Sequence, residues 1–209
     1  MFAKLNVFLL FFLIFIICIS NNLLFCVQDE SQYLNDKILN DIIITQTGIA
    51  SHYGKKFNKR KTANGELLDL FAFSSAHKKL PFGTIVKVIN KDNNLATLVR
   101  INDRGPFIKG RIIDLTHRPA KEINGMNNPN VDIQYFDNEK VLKYIDSNYL
   151  LGYSLYDSFI IINKNVVNII DSVDNFEAAM NFYTNANDST IYIFIKSNKQ
   201  QQYFIGSKK

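Results

Sequence analysis

Residues 97–115, TLVRINDRGPFIKGRIIDL, constrain this chain more than any other stretch. Leu95, Thr97, Val99 and Ile101 alternate with Ala96, Leu98, Arg100 and Asn102, which is the period of a strand. Asn102-Asp103-Arg104-Gly105-Pro106 then ends it, because glycine tolerates a positive φ and proline cannot continue a ladder. Arg111 to Leu115 reads as a strand again. Asp103 therefore stands where a strand runs into a rigid corner, a position that suits a reacting group. The simpler reading of Asp103 is a turn residue bonding its own backbone.

The rest of the chain repeats this texture. Residues 42–53 and 84–90 read as strands, GKKFNKRK at 54–61 as a basic loop, and TANGE at 62–66 as a turn. Lys78 to Gly83 is another turn, and Thr116 starts a short helix that Asn124-Gly125 closes. Short strands separated by Gly and Pro turns predict an all-β barrel. Residues 127–157 read as a linker, with helical character as far as Tyr144. Residues 158–209 read as a small α+β appendage: a strand at 158–167, a helix at 175–183, and a hairpin from 191–196 and 202–205.

The N-terminus reads as targeting sequence. Lys4 precedes an apolar run from Val7 to Ile19, and Cys18-Ile19-Ser20 offers small residues for cleavage after Ser20. The second reading is an uncleaved anchor, since residues 7–27 are long enough for a bilayer core of about 30 Å. Residues 1–27 are thus a signal peptide or anchor and 28–44 a spacer, which predicts export to the cell envelope. Leu23-Leu24-Phe25-Cys26 begins like a lipobox, although Phe25 is bulky where a small residue is expected. Cys26 alone cannot form an internal bridge, so the exported part must hold without disulfides.

With 47% hydrophobic residues the chain can bury a core. Its charge of +5 is uneven. Residues 45–125 hold 15 Lys/Arg against 6 Asp/Glu, or +9, and the remainder 9 against 13, or −4. A basic middle suits an anionic partner. Nucleic acid is a poor choice, because no aromatic pairs interleave the basic loop. His52, His77 and His117 show no metal-ligand spacing, and no elbow glycines surround Ser74 or Ser75. The chemistry left is acid–base work by carboxylates, without metal or cofactor.

ASHYG at 50–54, KTANGE at 61–66, AHKKLPFGT at 76–84 and VRINDRGPFIKGRIIDLT at 99–116, in this order, resemble the rare lipoprotein A family. The resemblance implies a six-stranded double-psi β-barrel over residues 45–126, shared with expansins. It implies an exported lytic transglycosylase that cuts peptidoglycan glycan strands, stripped ones preferentially, to 1,6-anhydro ends, with cell-division machinery as a partner. The family's acidic residue falls on Glu66, its histidine on His77 and its aspartate on Asp103. On that basis Asp103 is the acid and base, with Glu66 and His77 binding sugar and tuning it. A proton on Asp103 needs burial or a nearby carboxylate such as Glu66. Arg104 and Asn64 complete the sugar contacts, with Arg104 orienting a carboxylate. Asp114 reads as structural, and Tyr53 and Phe107 as core packing rather than sugar platforms. The competing reading is a non-cleaving, expansin-like peptidoglycan-binding module. Residues 158–209 resemble parts of a SPOR domain, the glycan-binding module such proteins often carry.

Overall fold

The computed structural model describes residues 36–144, 148–186, 188–196 and 202–208. The expectations for a signal peptide or anchor and for Cys26 lie outside them. Among the described residues no helix is long and apolar enough to cross a membrane.

Six strands close a barrel in the order β1-β5-β2-β4-β3-β6. They are β1 (Ile43–His52), β2 (Ser74–His77), β3 (Ile85–Asn90), β4 (Ala96–Asp103), β5 (Arg111–Leu115) and β6 (Asn130–Phe136). The β1/β5 and β2/β4 pairs are parallel and the others antiparallel. The interior is filled from every strand but β2 by small and branched side chains, among them Ala50, Val86, Val99, Ile101, Ile113, Leu115 and Ile133, all fully buried. Closure leaves no unpaired edge. After β5, α1 (His117–Glu122) runs to Asn124, whose φ of 51° ends it.

One expectation needs correcting. The stretch read as a linker from residue 127 contains β6, which seals the barrel between β1 and β3. Val131, Ile133 and Tyr135 point into the core while Asp132 and Gln134 alternate with them. A five-stranded barrel would leave β1 and β3 with open ladders, so the sixth strand is required.

The same stretch also holds α2 (Asn138–Tyr144) and β7 (Tyr149–Tyr153). The strand expected at 158–167 divides into β8 (Ile160–Asn163) and β9 (Val167–Val173) around a single 3₁₀ turn. With β10 (Ile191–Lys196) and β11 (Tyr203–Lys208) they form an antiparallel sheet ordered β8-β7-β10-β11-β9, on which α3 (Phe176–Ala186) packs. Phe136, at the end of β6, lies against the rings of Tyr153 and Phe159, at 5.1 and 5.0 Å between centroids. On the other side of the barrel, the Glu177 carboxylate accepts from the Phe73 amide at 2.8 Å.

Candidate functional site

β2 is only four residues long, and it lies between β4 and β5. Ala76 is opposite Asp103 on one side and Asp114 on the other. The β2/β4 register shifts at Ser75/Ala76, so β4 carries an extra residue there. Such a bulge re-aims the residue that follows it. Asp103 is thereby brought into the row Asp103–Ala76–Asp114. Ser51 continues the row on β1 and donates to Asp114 Oδ1. Adjacent strands lie about 4.8 Å apart, so two carboxyl groups about 10 Å apart at their backbones flank a single methyl group. Gly105 closes over them: its φ is +134°, and a Cβ built there would lie 3.7 Å from Asp114 Oδ2.

Asp103 accepts three hydrogen bonds: from the Tyr53 hydroxyl at 2.7 Å, and from the Ala63 and Arg104 amides at 2.8 Å each. Burial, then the bond to Asp103, hold the Tyr53 phenol far above its ordinary range, so Tyr53 stays a donor at any working pH. Burial also pushes the Asp114 carboxyl up. Ser51 and Arg111 pull it back, and the charge of Asp103 pushes it up further. Asp114 is thus the carboxyl disposed to keep a proton. From sequence it read as a structural residue, and Tyr53 as packing.

Glu66 is held differently. Both its oxygens pair with Arg100, at 2.9 and 2.7 Å, and Asn102 Nδ2 donates at 3.0 Å. Arg100 more than offsets burial and brings the carboxyl down to about 2. Glu66 is therefore a compensated anion, paired with Arg100 rather than with Asp103. The two remain neighbours through one loop. Ala63, near its start, binds Asp103, and Glu66, at its end, binds Arg100. Within the loop Asn64 Oδ1 accepts from the Thr62 hydroxyl and the Glu66 amide, so this oxygen builds the turn.

His77 follows Ala76 and stands opposite Ile113, a core residue, so β2 turns it to the face away from the carboxyl row. Its Nδ1 accepts from the Lys79 and Leu80 amides. Burial, with Arg104 and Lys78 adding, pushes the imidazole down to about 4. The ring is neutral, with its proton on Nε2. Arg104 stacks on Phe82 at 3.7 Å, and its guanidinium reaches the His77 carbonyl rather than a carboxylate. Phe107 is 84% exposed and Ile108 56%, directly after the corner that carries Asp103. An exposed ring there is not core packing.

These values set an acid limit. The Glu66 carboxyl is lower folded than unfolded, so its contribution is full above about pH 4.3 and fades toward 2. The His77 imidazole is also lower folded, so its contribution is full above about 6.5 and fades toward 4. Urea unfolding at stepped pH is expected to lose stability in two stages, the lower one missing in Glu66→Gln.

The model of the lytic transglycolase family matches residues 45–135, the span from β1 to β6. The chain is 57% identical over 77 residues to the endolytic peptidoglycan transglycosylase RlpA of Helicobacter pylori, strain 26695, covering 37% of this chain and 24% of the relative. The protein of the same name from Vibrio cholerae is 53% identical over 79 residues, covering 38% and 30%. That of Pasteurella multocida is 47% identical over 96 residues, covering 44% and 33%. The chain thus matches a quarter to a third of these relatives' own length. The crystal structure of apo expansin from Clavibacter michiganensis aligns over 79% of this chain and 80% of its own, with a TM-score of 0.35 and 12% identity.

Proposed function

We propose that the barrel cleaves the glycan strands of peptidoglycan in the cell envelope, without water, to leave 1,6-anhydro ends. The observation that carries this is the row Asp103–Ala76–Asp114 beside Gly105: two carboxyls flanking one methyl group, Asp103 held by three hydrogen bonds and Asp114 raised by burial. The names of the relatives support the substrate.

The step balances with one proton. Asp114 gives its proton to the glycosidic oxygen as the bond from the anomeric carbon to that oxygen breaks. The sugar's own 6-hydroxyl closes on the anomeric carbon, and its proton passes to Asp103. The pair then re-equilibrates with the same total of protons, so no external water is activated. Hydrolases instead use two carboxylates to place a water or form a covalent intermediate. Tyr53 holds Asp103 in place, and Glu66 with Arg100 presents a fixed acceptor–donor pair to hydroxyls.

The test is the purified chain incubated with stripped glycan strands and the products weighed. Fragments 18 Da lighter than hydrolytic products are the expected outcome, water being the mass difference. Products with free reducing ends, or tight binding without any fragments, would refute the reading; the latter would favour a non-cleaving glycan-binding module. Phe107→Ala is expected to raise KM about 3–10-fold with kcat little changed, since ring stacking is typically worth about 0.5–1.5 kcal/mol. Unchanged KM would place the sugar path elsewhere.

A further inference from the structure

A cleft of about 250 Å³ opens where the barrel meets the second sheet. Glu66, Arg100 and Asn102 line it from the barrel, and Asp174 and Tyr203 from the appended unit. The carboxylates of Glu66, Asp69, Asp174 and Glu177 and the guanidinium of Arg100 face it. Arg100 is engaged by Glu66, and Arg118, from α1, by Glu177 at 3.4 Å. Among the described residues, Asp69 and Asp174 have no cation within salt-bridge distance, so the cleft keeps a negative surplus. Asn175 caps the start of α3 by accepting from the Ala178 amide, which takes up one donor at that helix end. Ser74, a further lining residue, and Asn102 are 4% and 3% exposed, and Ser74 Oγ and Asn102 Oδ1 have no partner among the described residues. Buried polar atoms are normally paired. Unfilled acceptors in a negative cleft suit a ligand that brings donors and positive charge.

One loop joins the cleft to the carboxyl row. Glu66 lines it, while Ala63 of the same loop binds Asp103. A strand lying across Asp103 places a neighbouring sugar at Glu66. We infer that this cleft is a subsite for an amino-sugar ring whose primary amine is free, the ammonium lying between Asp69 and Asp174 and the ring hydroxyls meeting Glu66 and Arg100. The inference rests on the glycan-strand reading above. It makes the appended unit one wall of the substrate path.

The experiment uses the full chain and three probes in calorimetric titration: a glucosamine tetramer, an N-acetylglucosamine tetramer, and a muropeptide whose amines lie only on its stem peptide. The glucosamine tetramer is expected to bind at least about tenfold more tightly than the acetylated one. In Asp69→Asn/Asp174→Asn that preference should shrink below about threefold. Both positions are exposed, so an unchanged melting temperature verifies folding. Equal affinity for the two tetramers, a preference that survives the double substitution, or a muropeptide that binds as tightly as the glucosamine tetramer would each overturn the inference. Amine preference without anhydro products would refute the cleavage reading and leave the subsite standing; anhydro products without amine preference would do the reverse.

Discussion

Asp103→Asn is expected to lower the rate of anhydro-product release by about 10²–10⁴-fold, the usual contribution of a positioned acid or base. The substitution keeps an oxygen for the Ala63 and Arg104 amides, which hold the corner from both sides. The Tyr53 hydroxyl can rotate to accept from the new amide, so the site keeps its shape. Under the proposed mechanism, what is lost is the ability to take the proton of the 6-hydroxyl. Rates on stripped glycan, with thermal melting alongside, check this. A variant that turns over at the parent rate would remove Asp103 from the chemistry.

Asp114→Asn is expected to lose activity on the same scale while gaining or keeping stability at neutral pH. The sign follows from burial. A carboxyl raised in the folded protein stabilises it fully below the unfolded value of about 3.9, and that contribution is lost as pH rises through the folded value. An amide carries no such penalty, and it still accepts from Ser51. The variant should therefore melt no lower than the parent at pH 7 and lose any advantage below about pH 4. Activity of the parent should also fall on the alkaline side as Asp114 gives up its proton, and that limb should be absent from any residual activity of the variant. A residue that only supports the fold gives the opposite pattern: lower melting, with activity falling in proportion.

The strand–corner–strand around Asp103 was legible because alternation, glycine and proline act locally. β6 was not, although Val131, Ile133 and Tyr135 alternate in plain view. The turn formers of GMNNPN precede it, and its partners β1 and β3 lie far away in sequence. The resemblance brought Glu66, His77 and Asp103 forward together, and the structure gives each different partners. Glu66 meets Arg100 from 34 residues away, so its charge state depends on a pairing that periodicity does not encode. His77 spends one nitrogen on the next turn. Asp114 read as an ordinary strand-end aspartate, because parallel pairing, which no local pattern announces, sets β2 between its strand and that of Asp103.

The sixth barrel strand also decides where this molecule can be cut. A fragment ending at residue 126 lacks one stave of the barrel, and its open seam would invite aggregation. The shortest sound piece must run through residue 136. Even there Phe136 would lose the aromatic neighbours it has in the full chain, so a solubilising change at that position belongs in any truncated design.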